Sequence, residues 1–184
     1  DGAATAIQTI DLSGLSATGG TLTSTITHLS QQTALTTIIG SVGDDTITIG
    51  KANAGLTVTG GAGKDTFIVT AAKVAADGQT DLTTITDFSN GDKISFGAAI
   101  ASYANKGTLD QGTYSTLADA IAYANNADTA GQVVGFKYDG NSYLFYNKAT
   151  DAATTKADDI LVKLAGTTVD LDSLAASTND IVFA

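Results

Sequence analysis

Gly60-Gly61-Ala62-Gly63-Lys64-Asp65-Thr66-Phe67-Ile68 is the stretch whose reading decides the fold. It fits the nonapeptide G-G-x-G-x-D-x-U-x, with U a large apolar residue, at every fixed position. Glycine lets the backbone turn through positive φ and bring its carbonyls inward. Asp65 contributes a carboxylate, a hard oxygen ligand of the kind that Ca²⁺ takes. Phe67 then begins a short strand and points into a core. Upstream, Gly40-Ser41-Val42-Gly43-Asp44-Asp45-Thr46-Ile47-Thr48 repeats the frame, with Ser41 in place of the second glycine.

Around these two turns lie short runs of β type: Ala6–Asp11, Leu22–Thr27, Leu35–Ile39, Thr46–Ile49, Leu56–Thr59 and Thr66–Thr70. Most alternate apolar residues with Thr, and Gly, Ser, Asn or Asp separates them. The later runs recur about every ten residues, close to the half-turn of a parallel β-roll. Residues about eighteen apart stack on one edge of such a roll. Gly40–Asp45 and Gly60–Asp65 are therefore expected on adjacent coils, with an insertion of about two residues between them. Gly50–Gly55, at the opposite edge, has no acid and is expected to bind nothing.

Ala71–Thr80 reads as a loop. Asp81–Phe96 reads as a hairpin-like unit, two strands joined by the turn Asn90-Gly91-Asp92. Residues 98–114 carry weak signals. Ser115–Asn126 predicts a helix with Leu117, Ala120, Ile121 and Ala124 on one face, and Thr116 with Asp119 has the spacing of a capping box. Val133–Tyr138 and Ser142–Tyr146, joined by Asp139-Gly140-Asn141, predict a tight hairpin. A loop at Asn147–Lys156, a strand at Asp159–Leu164, a helical turn at Asp170–Leu174 and a final strand at Ile181–Phe183 complete the chain. The expected fold is mainly β. A short parallel β-roll with Ca²⁺-binding nonapeptide turns occupies 1–97, and a β-rich region with one short helix occupies 98–184.

The chain has 184 residues, 43% of them hydrophobic, enough to bury a sizeable core. No run approaches the length of a membrane-spanning helix. It begins at Asp1 without an initiator methionine or a basic–apolar leader, which reads as a processing boundary. All 19 acids are Asp and all 9 bases are Lys, for a net charge of −10. That charge argues against nucleic acid and anionic membrane as partners and is compatible with cation binding. Asp favours turns and caps, where Glu favours helix interiors. Zero cysteines exclude disulfides and thiolate chemistry.

The expected Ca²⁺ ligands are the carboxylates of Asp45 and Asp65 with backbone oxygens of Gly40, Val42, Gly43, Gly60, Ala62 and Gly63. Asp81 precedes its strand as Asp65 precedes Phe67, and is expected to close the last site. Asp44 reads as solvated, and Asp87 and Asp92 as turn and cap residues, with ligation by Asp87 as the alternative. Asp158-Asp159, after a loop containing Asp151, is a lesser, peripheral candidate. His28 is the only histidine. Without Cys, Glu or a second His, the common nucleophile–base constellations do not assemble, and no nucleophile elbow or zinc motif is present. No catalysis is expected. The aromatics Phe136, Tyr138, Tyr143, Phe145 and Tyr146 read as core packing, with a self-association surface as the alternative.

Three blocks resemble the RTX (repeats-in-toxin) proteins exported by type I secretion. The first is the pair of nonapeptides at Gly40 and Gly60. The second, Ile85-Thr86-Asp87-Phe88 with Gly91-Asp92-Lys93-Ile94, looks like the block that follows the last repeat in that family. The third, Val134–Phe145 with Asp158–Gly166, is similar to the region that carries an uncleaved export signal. The Thr-rich composition without Cys, Arg or Glu looks most like bacterial surface-layer (S-layer) proteins. The resemblance implies an extracellular structural protein that folds on meeting Ca²⁺, is handled by type I secretion machinery and self-associates into a surface lattice. Its alternative is the noncatalytic tail of a secreted protease, lipase, toxin or adhesin.

Overall fold

A strand that alternates Thr with Val, Ile or Phe buries one face and wets the other. In β4 (Asp44–Ile49), Asp45, Ile47 and Ile49 are buried, while Asp44, Thr46 and Thr48 face outward. The computed structural model describes residues 7–16, 23–28, 34–50, 55–70, 82–125, 129–148, 159–165 and 169–184.

The chain passes back and forth between two sheets. β1 (Thr9–Asp11), β3 (Thr37–Ile39), β5 (Thr57–Thr59) and β7 (Thr83–Ile85) pair in parallel in the first. β2 (Thr23–His28), β4, β6 (Thr66–Val69) and β8 (Lys93–Ser95) pair in parallel in the second. Thr46 is in register with Thr66, and Thr37 with Thr57. The two quoted turns thus sit on adjacent coils, twenty positions apart.

The C-terminal region extends both sheets. β9 (Ser102–Thr108), β10 (Gln132–Tyr138), β11 (Asn141–Tyr146) and β12 (Ile160–Leu164) continue the first, with β12 parallel to β7. A 3₁₀ turn at Leu171–Ser173 precedes β13 (Leu174–Ala176), and β14 (Asp180–Phe183) joins β13 to β8 in the second sheet. Among the described residues the orders are β1-β3-β5-β7-β12-β11-β10-β9 and β13-β14-β8-β6-β4-β2.

One apolar core fills the space between the sheets. Ile38, Ile47, Val58 and Phe67 from the coils meet Leu144, Val162 and Ile181 from the C-terminal region in it. A second core lies on the outer face of the first sheet, where α1 (Leu117–Asn125) sets Leu117, Ile121 and Ala124 against Val134, Phe136 and Phe145. Phe136 stacks on Tyr143 at 5.3 Å, and Tyr146 stacks on Phe96 at 4.9 Å on the other face. All five aromatics of this hairpin are buried, as core packing requires. No helix among the described residues is long and apolar enough to cross a membrane.

The Asp139-Gly140 hairpin forms as expected, both residues adopting positive φ. The hairpin expected over 81–96 does not form: β7 and β8 lie in different sheets and never pair. An Asn-Gly turn suits a hairpin or a coil edge equally, and here each flanking strand finds a better partner in the preceding coil. β9 and β13 are strands that the sequence did not announce. Ser102–Thr108 lacks alternation and contains Gly107 at φ 67, and it is held as a strand by parallel pairing with β10. The expected loop 71–80 lies outside the described residues, as do residues 149–156 of the expected loop at Asn147–Lys156.

Candidate functional site

Three turns stack at one edge of the second sheet: Gly40–Asp45, Gly60–Asp65 and Asp87–Asp92. Each ends in the triplet D-x-U, where the apolar residue (Ile47, Phe67 or Ile94) enters the core and draws the preceding Asp below the surface. Asp45, Asp65 and Asp92 are 1%, 2% and 2% exposed. Burial of a carboxylate requires donors, and the coils supply them. The Asp45 N–H donates to Asp65 Oδ1 at 2.9 Å, and the Asp65 N–H donates to Asp92 Oδ1 at 2.9 Å. The result is a ladder of carboxylates in which Asp65 and Asp92 each cap the coil before. Ser24 of β2 is in register with Asp45 and takes the corresponding position one coil earlier.

Within each turn the carboxylate also holds its own loop. Asp45 accepts from both the N–H and the Oγ of Ser41, and Asp92 accepts from the Ser89 N–H at 2.7 Å. Asp87 clamps the middle turn from the side, its two oxygens accepting from the N–H groups of Gly60 and Gly61 at 2.9 and 2.8 Å. Asp44 Oδ1 accepts from the Lys64 N–H at 2.8 Å, although its side chain is exposed. The turns lie so close that a Cβ on Gly61, at φ 103, would overlap the Ser41 carbonyl oxygen.

Burial pushes the Asp65 carboxyl up to about 7, and the like charges of Asp92, Asp45 and Asp87 push the same way against the hydrogen bond from Asp45. Burial also raises Asp92. The charges that bear most on Asp65 are those of other carboxylates.

The expected ligands fall on this edge with one exception. Gly40, Gly43, Gly60, Ala62 and Gly63 belong to the stacked loops, Val42 is half exposed at a loop tip, and Asp81 lies outside the described residues. Asp158 and Asp151 also lie outside them, while the buried Asp159 accepts from the Lys148 N–H at 3.1 Å. Asp87 and Asp92 cap turns as expected, but their place in the stack and the role of Ser41 were not foreseen. Asp92 and Asp87 occupy the positions of Asp65 and Gly60 one coil on, 27 residues later. The D-x-U triplet Asp92-Lys93-Ile94 was the available signal. Ser41, read as a departure from the motif, is a direct partner of Asp45.

Among the described residues, no three acidic, His or Cys side chains converge as a ready metal cluster. The donor chemistry of the turns nonetheless suits a hard cation. The side-chain ligands on offer are oxygens, and the like charges of Asp92, Asp45 and Asp87 bear on Asp65. Asp45 and Asp65 with the loop carbonyls are the groups that would hold it. No protein-family model matches this chain, and no curated protein matches it.

Proposed function

We propose that this chain is the C-terminal part of a secreted, calcium-binding structural protein that assembles at the bacterial cell surface, of the S-layer type. The observation that carries the reading is the ladder of buried carboxylates Asp45, Asp65 and Asp92, stacked so that burial and the like charges of Asp92, Asp45 and Asp87 push the Asp65 carboxyl up. A divalent cation at the edge of these turns neutralises that charge and ties adjacent coils together. At about 100 times its Kd, one bound ion contributes roughly 2.7 kcal/mol, a large share of the stability of a marginal domain. Export through a type I channel, surface location and lattice formation rest on the sequence resemblance. In that reading, the chain stays poorly folded where Ca²⁺ is scarce and folds where it is plentiful.

The test is a Ca²⁺ titration of the metal-free chain, followed by circular dichroism and light scattering. Folding, then growth in particle size, is expected as Ca²⁺ reaches the millimolar range, with Mg²⁺ less effective because it demands a tighter octahedral shell. Asp65→Ala is expected to abolish the response and Asp77→Ala to leave it intact. A chain that folds identically in chelator and in Ca²⁺ sinks the proposal.

A further inference from the structure

The outer face of the first sheet changes character along its strands. Under α1 the cross-strand row is Val134, Phe145 and Leu161, all buried. Two residues further along each strand, the row is Phe136, Tyr143, Lys163 and Thr84, in register across β10, β11, β12 and β7. Apolar surface thus gives way to an ammonium and a hydroxyl close to Leu117, where the helix begins. A cavity of about 260 Å³ opens at this step. Tyr143, Lys163 and Thr84 line it from the sheet, Asp139 and Asn141 from the hairpin turn, and Leu82 and Leu117 form its apolar side.

Part of the lining is held in place before any ligand arrives. Tyr143 is stacked on Phe136, and the Tyr138 hydroxyl donates to the Tyr114 carbonyl at 3.0 Å. The Asn141 Nδ2 donates to the Asp139 carbonyl at 2.9 Å, fixing the turn and leaving the amide oxygen as an acceptor. Lys163 and Asp139 line the same cavity, yet neither forms an ion pair with the other or with any described residue. Their charges cancel, so this cavity favours neither anion nor cation, although the chain carries −10. What it offers is a set of strong donors and acceptors of both kinds beside an apolar wall. Its volume falls just short of the roughly 300 Å³ at which drug-sized pockets begin, which limits the occupant to about one ring.

We propose that this cavity binds a neutral, ring-sized polyol: a hexose unit, either free or at the end of a glycan. Adjacent sugar hydroxyls donate to the Asp139 carboxylate and accept from the Lys163 ammonium, while the C–H face of the ring lies against Leu82 and Leu117. This site is separate from the stacked turns and takes no part in holding a cation there.

The experiment is saturation-transfer NMR and titration calorimetry on the full chain. The ligands are methyl glycosides of gluco, galacto, manno and N-acetylgluco configuration, with glycine as a zwitterionic control. At least one glycoside is expected to bind and glycine not to bind. Lys163→Met keeps the apolar stem and removes the charge, and Asp139→Asn keeps a side chain that tolerates the left-handed turn at φ 47. Each is expected to weaken binding about tenfold or more, with an unchanged far-UV spectrum. Should the Lys163 variant fail to fold, the Asp139 variant on the exposed turn decides alone. Tighter binding of an oligosaccharide ending in the same unit supports the site and assigns the source to a glycan; equal binding supports it and assigns the free sugar. The proposal is overturned by silence from every glycoside, by binding of glycine in their place, or by wild-type affinity in the folded variants.

Discussion

Asp65 shows how much one buried carboxyl can reveal. Its folded value near 7 lies above the ordinary 3.8 of the unfolded chain. Between those values the folded form keeps a proton that the unfolded form has released. The contribution to stability is therefore greatest below the unfolded value and is lost as pH rises through about 7. Asp92, raised by the same burial, acts in the same direction. Exposed Asp11, Asp110 and Asp119, held below the usual range by Ser13, Thr113 and Thr116, matter only in stronger acid, where protonation removes their contribution. In chelator, the folded fraction read by circular dichroism is expected to fall from about pH 5 to about pH 8, and Asp65→Asn to flatten that fall. Saturating Ca²⁺ is expected to remove it. A metal-free folded fraction that climbs over this range would contradict the burial argument. A second residue-scale contrast concerns two glycines with positive φ. Gly61→Ala drives a Cβ into the Ser41 carbonyl, whereas a Cβ on Gly55, at φ 73, meets nothing. The expected losses in denaturant unfolding are about 2–4 kcal/mol for Gly61→Ala and about 1 kcal/mol for Gly55→Ala. Equal losses would mean that the coils do not stack this closely.

At the scale of elements, α1 depends on its start. The Thr116 Oγ1 accepts from the Asp119 N–H at 3.2 Å, and Asp119 Oδ2 accepts from the Thr116 N–H at 2.9 Å, a reciprocal capping box. Thr116→Ala is expected to cost about 1 kcal/mol in urea unfolding, and Thr116→Ser to restore most of it. No recovery with Ser would assign the loss to the methyl group instead of the cap. This helix was readable because its cap, its apolar face and its length all lie within one short segment. The Asp139-Gly140 hairpin was readable for the same reason: both strands and their turn are contiguous. The segment 81–96 carried equally clear local signals and still misled, because its strands find their partners 27 residues earlier instead of in each other.

At the scale of the molecule, the sheets and the inter-sheet core run without a break from the coils into the C-terminal region. Ile85 and Ile94 share a core with Val162 and Ile181, and β7 and β8 pair with β12 and β14. Heat should therefore unfold the chain in one transition whose calorimetric and van't Hoff enthalpies agree. Two resolved transitions would show that the coils and the C-terminal region melt independently.

The sequence by itself determined what depends on near neighbours. Alternation of Thr with Ile, Val and Phe set which face of each strand is buried, and the recurrence of Gly-rich turns twenty residues apart placed Asp45 above Asp65. Tertiary structure alone decided what depends on distant pairing. It made Asp87–Asp92 a third turn in the stack, turned Ser102–Thr108 into a strand, gave Ser41 to Asp45, and set Tyr143, Lys163 and Thr84 side by side. The physical reason is that a turn or a strand tolerates several partners at similar local cost, and only burial between the two sheets selects among them.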